Sequence, residues 1–475
     1  CALCASLARA AHVDSLGAAG NAIVVVYGCV CGGASRFLGG DSLSSADGCG
    51  GVGLCGGGRA VPGWLDKEAL AEMRLLAIIP YAPTVIRTRP HHLLLALARR
   101  GHRLTLATVW ENEFERAALD VFRNAGIEVL DEPLGRGRRA WNVLSGAWGR
   151  RPMQASYCWQ PALLARLESW LGQNRPDWVH VEHVRGARYA EWLRGRWGAG
   201  VPIVWDAVDC ISLLFEKAGR ESRSGFGQWV ARLELPRTRW YEGQLAGKFE
   251  RTLVTSAADR DALQSLAKIA YSHSTTTERI KILPNGVDLT RFQPGDKRSA
   301  ATVTLTGKMS YHANITAALW LINEIMPRVW AQQPEVRVEI VGSAPGEAVR
   351  ELAKRYPERV TVTGYVSDVA AYLQRCTVAV APIAYGVGIQ NKVLEAMACG
   401  APVVATPQAA SALQTEAGRE LLLAGDAEEF AAAVLRLLQD EPLREAMGQA
   451  GRRYVEQHHS WDAIAALYEQ LVSQE

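Results

Sequence analysis

The sequence contains no apolar run close to the length of a membrane span. A helix that crosses a bilayer needs about 20 consecutive apolar residues, and the longest such stretch near the start, AIVVVYG, is far shorter. A strong excess of charge is also missing, because 52 Lys and Arg face 49 Asp and Glu for a net charge of +3. Nucleic-acid-binding domains are usually strongly basic or carry a basic stripe, so we expect no nucleic-acid partner.

Several motifs for nucleotide binding and catalysis are absent as well. There is no GxxxxGK[ST], and the first strand is followed by PYAPTVIRT rather than by GxGxxG. Neither HExxH, HxE…PCxxC nor GxSxG is found. These absences argue against P-loop ATPases, dinucleotide-dependent oxidoreductases, zinc enzymes of these types and serine hydrolases with a nucleophile elbow.

Cysteine is scarce after residue 72. Six of the ten cysteines lie in residues 1–72, in glycine-rich stretches such as CVCGGASRFLGG. A metal or disulfide module is one interpretation, but the single CxxC of this segment, CALC, has no second pair at zinc-finger spacing, and the only histidine is His12. We favour a disordered or non-native extension without a fold of its own. The later cysteines are predicted to be reduced core residues, as in the cytosol: Cys158, Cys210, Cys376 and Cys399.

From Met73 onward, apolar strands alternate with helical patterns. RLLAIIPY, HRLTLATVW, DWVHVEHV and VPIVWDAV are predicted strands, and PHHLLLALARRG is a predicted helix. The alternation restarts at ATVTLTG, so the chain is predicted to be α/β, with two consecutive domains built on parallel sheets. We expect a first domain over 73–295, a second over 296–455, and a C-terminal helix over 456–475.

The stretch GVGIQNKVLEAMACGAPVVAT, residues 386–406, combines features of a phosphate site. Gly386 and Gly388 allow the backbone to approach a ligand closely. The helix that follows has a positive dipole end, to which Lys392 adds a full charge. Glu395 lies one turn further on the same face, where it can hold the hydroxyls of a ribose. The alternative is an ordinary exposed ion pair between Lys392 and Glu395.

A second junction of the same kind favours the phosphate interpretation. LTGKMSYHAN places Gly307 and Lys308 between a strand and a helix. Carboxyl ends of parallel strands meet at one edge of a sheet. The two junctions are therefore predicted to converge on one pyrophosphate and form a clamp for a nucleoside diphosphate.

Arginine and tryptophan alternate in LGRGRRAWNVLSGAWGRRPMQASYCW, residues 134–159. One interpretation is a face for an anionic membrane surface or a lipid-linked substrate. The other is a solvated surface helix. Both stay open.

LPNGVDLTRF, LTGKMSYHAN, VTVTGYVSD and the 386–406 stretch, in this order, resemble glycosyltransferase family 4, which has the GT-B fold of two Rossmann-like domains facing across a cleft. The combination GIQNKVLEAMA with GKMSYHAN is similar to bacterial exopolysaccharide transferases, some of them associated with exosortase systems. The resemblance implies a nucleotide-sugar donor on the second domain, an acceptor on the first, retention of anomeric configuration, no metal and no further cofactor. We expect a UDP-sugar rather than a GDP-sugar.

The resemblance also implies roles for individual residues. Lys308, Lys392 and Glu395 match the family's cations and ribose-binding glutamate, whereas Val387 replaces the other glutamate of the family's pair, so its role passes to the neighbouring backbone. His183 matches a family histidine only after a shift of one position, and a core histidine is an equal alternative. The implied donor-binding residues are Gly307, Lys308, Tyr365, Val366, Gly388, Ile389, Gln390, Lys392, Val393 and Glu395. The implied catalytic residues are Lys308, Lys392, Glu395 and His183.

Four charged residues of the first domain are candidates for the acceptor side. Arg87 and Arg89, in the loop after the first strand, can hold a phosphate or form a surface salt bridge. Asp206 and Asp209 are expected past a strand end, facing the cleft. They can bind acceptor hydroxyls or cap the next helix.

The function expected from these residues is transfer of a sugar to a hydroxyl of a glycan or lipid-linked acceptor in polysaccharide biosynthesis. The expected location is the cytoplasm, at the inner face of the cell membrane if residues 134–159 contact lipid. Two alternatives are a GT-B nucleotide-sugar epimerase and a non-catalytic scaffold that binds a nucleotide sugar.

Overall fold

The fold consists of two parallel β-sheets covered by helices. The computed structural model describes residues 72–147, 149–221, 225–271, 278–299, 301–384 and 390–473. Apart from Glu72, the predicted extension over 1–72 lies outside these residues.

The first sheet has seven parallel strands in the order β3-β2-β1-β4-β5-β6-β7. Its central strands are almost entirely buried, because helices cover both faces and most residues of these strands are apolar. The strands are β1 Arg74–Ile79, β2 Arg103–Trp110, β3 Glu128–Pro133, β4 Trp178–Glu182, β5 Ile203–Val208, β6 Arg251–Val254 and β7 Ile280–Ile282.

The helices of this half lie between consecutive strands. Thr88 begins α1, and Pro90 stands in its first turn, where the missing N–H costs no hydrogen bond. The helices are α1 Thr88–Arg99, α2 Glu113–Ala117, α3 Asp120–Asn124, α4 Arg136–Ala147, α5 Met153–Tyr157, α6 Pro161–Gln173, α7 His183–Trp197, α8 Ile211–Glu221, α9 Gly225–Ala246 and α10 Ala257–Ala270.

The second sheet has six parallel strands in the order β10-β9-β8-β11-β12-β13. The two sheets share the strand order 3-2-1-4-5-6 of a doubly wound fold. Ligands of such sheets bind outside the carboxyl ends of the strands. The strands are β8 Thr302–Thr306, β9 Arg337–Val341, β10 Val360–Val362, β11 Val378–Ala381, β12 Val403–Ala405 and β13 Leu422–Leu423.

Helices again separate the strands of the second sheet, and α11 continues through a π-helical segment, Leu321–Ile325, into α12. The helices are α11 His312–Trp320, α12 Met326–Trp330, α13 Glu347–Arg355, α14 Ala370–Arg375, α15 Asn391–Ala398, α16 Pro407–Ala410, α17 Ala427–Gln439, α18 Glu441–His458 and α19 Trp461–Ser473.

The last helix, α19, packs on the first sheet. Trp461, Ile464 and Tyr468 lie in one buried cluster with residues of β1 and α1. Glu469 adds an ion pair with Arg100 and accepts a hydrogen bond from His102. The chain therefore passes between the two halves twice, once after β7 and once between α18 and α19. The expected division at 455/456 falls inside α18, which is continuous from Glu441 to His458.

Three details differ from the sequence-based expectations. The strand predicted from DWVHVEHV ends at Glu182, because the backbone of His183, at φ +62°, turns out of the strand direction, and α7 follows. Arg89 belongs to the first turn of α1, not to a loop. Asp206 lies inside β5 rather than past its end. The four cysteines after residue 72 are buried and free, as predicted.

Candidate functional site

Two glycines let the carboxyl ends of β8 and β9 approach each other. Gly307 and Gly342 follow these neighbouring strands with φ near +150°, a conformation that side chains rarely adopt. A Cβ atom on Gly342 would stand 1.7 Å from the carbonyl oxygen of Gly307. No other residue fits at Gly342 without separating the strands. The backbone at this edge therefore carries no side chain at this position.

Asn314 connects the two glycine–lysine junctions that the sequence singled out. Its Nδ2 donates to the carbonyl oxygen of Lys308 at 3.0 Å, and its Oδ1 accepts from Nζ of Lys392. Lys308 itself is exposed. Asn314 stands inside the stretch GKMSYHAN, but its role requires a contact over 78 positions of sequence, which no local pattern reveals.

Lys392 lies in the first turn of α15, with the free N–H groups of the helix start beside it. Its side chain is half-buried. Burial lowers the pKa of Lys392 to about 8, while the nearby Glu395 carboxylate raises it. The ammonium is thus held at some electrostatic cost, which an anionic ligand would offset.

Glu395 lies one turn further along α15. Burial raises the pKa of this carboxyl group, against the opposing effects of Arg291 and Lys392. Among the described residues, no hydrogen bond to its carboxylate is formed. It also lines a small cavity of about 170 Å³ between the two halves, together with His92 and Trp461. The carboxylate is therefore placed to bond to a ligand.

The other residues predicted to bind the donor do not all lie at the carboxyl edge of the second sheet. Gly364 follows β10 at φ +72°, and the next residue, Tyr365, is 73% exposed at this edge of the sheet. Val366 is half-buried, and Gln390 directly precedes α15. The Val393 side chain is buried in the core of the second half. Gly388 and Ile389 lie outside the described residues.

Arg89 and Asp206 form a buried, bidentate ion pair. Nε and Nη2 of Arg89 donate to the two carboxylate oxygens of Asp206 at 2.8 and 3.1 Å. Nη1 of Arg89 donates to the carbonyl oxygens of Leu283 and Pro284 and to Oδ1 of Asn285. Arg89 therefore holds the segment that joins the two halves, and the salt bridge lies in the interior rather than at the surface.

Arg87 and Asp209 are engaged with protein groups as well. Arg87 donates to the carbonyl oxygen of Ala82 at 2.7 Å and to Glu115 at 3.1 Å. Asp209 follows β5 and accepts from the hydroxyl of Thr255 at 3.0 Å. Burial, reinforced by the Asp259 carboxylate, raises the pKa of Asp209 to about 6.

The ends of β4 and β5 are strained. His183 and Val208 have φ of +62° and +67°, which is rare for any side chain and most unfavourable for a β-branched one. The His183 ring is buried, its Nδ1 accepts from the backbone N–H of Arg185, and its Nε2 has no partner among the described residues. Burial and Arg185 lower the pKa of His183 to about 3. The ring is thus neutral and carries its proton on the unpartnered Nε2.

Glu182 was not a candidate from the sequence, yet it lies buried beside this strained turn. Its Oε1 accepts from the hydroxyl of Tyr81 at 2.5 Å, and its Oε2 has no partner among the described residues. Burial and the Asp206 carboxylate raise the pKa of Glu182 to about 8, although the Tyr81 hydrogen bond lowers it. Strained backbone and unpaired buried polar atoms cluster at functional sites.

Solved structures share this arrangement of two halves. HepE of Anabaena, crystallised in complex with UDP, aligns over 84% of this chain and 100% of its own with a TM-score of 0.58 at 15% identity. Sucrose-phosphate synthase of Thermosynechococcus elongatus aligns over 84% and 98% with a TM-score of 0.57 at 17% identity. At these identities the likeness shows the fold alone. The chain has the GT-B fold, two Rossmann-like domains with one sheet each.

Two family models match the two halves. The model described as Glycosyltransferase Family 4 matches residues 87–291, and the model described as Glycosyl transferases group 1 matches residues 300–440. Together they cover most of the described chain. The protein belongs to the glycosyltransferases of this two-domain family, as the sequence motifs predicted.

Curated relatives match over part of their length. A GDP-mannose-dependent monoacylated alpha-(1-6)-phosphatidylinositol monomannoside mannosyltransferase of Corynebacterium glutamicum is 29% identical over 44% of this chain and 59% of its own length. A phosphatidyl-myo-inositol mannosyltransferase of Mycolicibacterium smegmatis is 29% identical over 44% and 55%. The chain thus spans somewhat more than half the length of these relatives.

Proposed function

We propose that this protein transfers a sugar from a nucleotide-sugar donor to a hydroxyl of a glycan or lipid-linked acceptor, with retention of anomeric configuration, in polysaccharide or glycolipid biosynthesis. The observation that carries the proposal is the cluster formed by Lys308, Asn314, Lys392 and Glu395 at the carboxyl edge of the second sheet. It combines cations for a diphosphate with a carboxylate for a ribose, and that carboxylate accepts no hydrogen bond from the described residues.

The charges suggest how the reaction proceeds. The bond between the anomeric carbon and the phosphate oxygen breaks, and the nucleoside diphosphate leaves with growing negative charge. Lys308, Lys392 and the start of α15 stabilise that charge. The acceptor oxygen bonds to the anomeric carbon from the same face, and its proton passes to the leaving phosphate. No separate protein base is needed.

His183 is the candidate contact to the donor sugar from the first domain. Its ring is neutral, and its protonated Nε2 lacks a partner among the described residues. We propose that this N–H donates to a sugar hydroxyl. Arg89 and Asp206 are proposed to position the interdomain segment rather than to touch the acceptor.

The donor is proposed to be a UDP-sugar. Complexes of Anabaena HepE with UDP and with UDP-glucose make this base a reasonable first choice. GDP-mannose is the competing donor, because the name of the Corynebacterium glutamicum relative specifies it. The exposed ring of Tyr365, in the turn proposed to contact the base, is compatible with either.

A peripheral contact with an anionic membrane, on the cytoplasmic side, is also proposed. Within the described residues, no helix is both long and apolar enough to cross a bilayer. Trp141 and Leu144 of α4 are 63% and 50% exposed among several arginines, and Trp240 is 44% exposed. Sedimentation with anionic vesicles should occur at low salt and weaken when Trp141 and Leu144 are changed to Ser. No sedimentation of the unchanged protein would refute the contact.

Product analysis with a labelled donor tests the proposed function. Incubation with donor and a membrane or glycan extract should give label in a larger acceptor, and the anomeric configuration is read by NMR. Lys392→Ala should abolish transfer. Recovery of an isomerised sugar instead would identify an epimerase, and binding without any reaction would identify a scaffold.

A further inference from the structure

A second cavity lies in the first domain, on the flank of α7. It encloses about 590 Å³ between the α4–α5 connection, α7 and α9. Two of its lining residues, Arg188 and Glu191, come five and eight residues after His183, which is about 8 and 12 Å along the helix axis. The cavity is thus displaced from the carboxyl edge of the first sheet. That edge is the one nearest to the proposed donor site of Lys392 and Glu395.

The lining of this cavity is strongly cationic. Arg150, Arg151, Arg188 and Lys248 face one carboxylate, Glu191. Four positive charges less one negative charge leave a formal charge of +3. Glu191 is already occupied, since it accepts from Nε of Arg151 at 3.1 Å, from Nζ of Lys248 at 3.2 Å and from the hydroxyl of Tyr241 at 3.0 Å. The remaining charge is available to an anionic ligand.

Arg188 shows this imbalance most clearly. Among the described residues, no carboxylate pairs with it, and its guanidinium lies 4.1 Å from the centre of the Trp159 ring. Burial and the nearby Arg151 lower the pKa of Arg188. A planar guanidinium held in place by a ring presents its donors in the geometry that suits phosphate oxygens. Arg150, at the exposed rim, likewise has no carboxylate partner among the described residues.

The wall of the cavity adds aromatic surface. Trp240 and Tyr271 line it, and Trp240 is 44% exposed. The Tyr271 hydroxyl donates to the carbonyl oxygen of Gln244, which fixes the ring. Aromatic surface beside a few convergent polar groups is typical of small-ligand sites, and the volume exceeds what a single phosphate needs.

We propose that this cavity binds a phosphate ester carried by a sugar, at a site separate from the donor nucleotide. Arg188 and Arg150 would hold the phosphate, and Trp240 would cover the sugar. The ligand has two chemical sources, a soluble sugar phosphate or the phosphorylated head group of a glycolipid.

Calorimetric titration of the full chain with glucose 1-phosphate, in saturating UDP, tests the proposal. We expect one equivalent to bind despite the UDP. Arg188→Gln and Arg150→Gln should each weaken binding about tenfold, the loss of one charge-assisted hydrogen bond. Arg196→Gln, an exposed arginine of the same helix paired with Glu168, should leave the affinity unchanged. An equal loss in Arg196→Gln, or displacement by UDP, would overturn the proposal.

The second arm separates the two sources. Vesicles of phosphatidylcholine with phosphatidylinositol 4-phosphate are compared with vesicles of phosphatidylcholine and phosphatidylglycerol. Preference for the phosphorylated inositol head group, lost in Arg150→Gln, would assign the site to a lipid. Binding of glucose 1-phosphate without this preference would assign it to a soluble ligand. If neither ligand binds in a manner that depends on Arg150 or Arg188, the proposal is wrong; Arg150 is exposed, so its variant is expected to fold.

Discussion

Lys392 and Asn314 belong to different helices, α15 and α11, and meet through a hydrogen bond from Nζ to Oδ1. The same amide donates to the carbonyl oxygen of Lys308. One side chain thereby fixes the spacing of the two lysines proposed to hold the donor diphosphate.

Replacing Asn314 by Ala should loosen this arrangement. The amide is buried, so its removal leaves Lys392 without its partner, and we expect nucleoside diphosphate affinity to fall about tenfold. Asn314→Asp should lose more, because a carboxylate repels both the Lys308 carbonyl and the phosphates. Asn323→Ala, which removes only an exposed contact to Arg355, is the control. Calorimetric titration measures the nucleoside diphosphate affinity of each variant. Unchanged affinity in Asn314→Ala would show that Asn314 does not position the two lysines for the diphosphate.

Donor binding should depend on pH through Lys392. Its folded-state pKa is lowered to about 8, so the free protein loses the ammonium as the pH rises through 8. A diphosphate binds the charged form, and the affinity should therefore fall above pH 8, approaching tenfold per pH unit. Lys392→Arg stays charged and should show a flat profile over the same range. An identical slope in both proteins would mean that another group titrates.

Gly342 provides a steric test of the proposed donor site at the carboxyl edge of the second sheet. A methyl group there would overlap the Gly307 carbonyl oxygen, so Gly342→Ala should cost about 3 kcal/mol or more and abolish nucleotide binding. Gly172→Ala, in open space on α6, should be neutral or stabilising because alanine favours helix. Thermal melting and titration check both variants. Normal binding by Gly342→Ala would contradict the close approach of β8 and β9.

Glu182 should make the first domain less stable as the pH rises. A glutamate in the unfolded chain has a pKa of about 4.3, whereas the pKa of Glu182 in the folded protein is raised to about 8. Between these values the folded state keeps a proton that the unfolded state has lost, so the free energy of unfolding falls with rising pH. Glu182→Gln mimics the protonated acid, so the difference in melting temperature between this variant and the parent protein should increase in favour of the variant from pH 5 to pH 8. A constant difference would show that Glu182 is already ionised.

The long strands and the two glycine–lysine junctions could be predicted because their signals are local. Strands β1, β2 and β8 are almost entirely buried, and in sequence they appear as short runs of apolar residues and threonine. Strands β6, β7 and β13 were missed; they have four, three and two residues, too few for a pattern.

Side-chain pairing across the fold could not be predicted. Arg89 and Asp206 are 117 positions apart, and each looked like a cleft residue because only the three-dimensional contact shows that they neutralise each other. The strain at His183 and Val208 is likewise a property of the folded backbone. The sequence pointed to the carboxyl edge of the second sheet, which we propose as the donor site, and was least informative about the first domain, where the polar groups are buried against one another.

The most direct measurement is calorimetric titration of the protein with UDP, GDP, ADP and dTDP beside a Glu395→Ala variant. We expect one of the four nucleotides, UDP under the proposal above, to bind to the unchanged protein and to lose about tenfold or more in affinity in the variant, because the ribose contact is removed. If the folded protein binds none of the four, or if Glu395→Ala binds as tightly as its parent, the proposed clamp is contradicted.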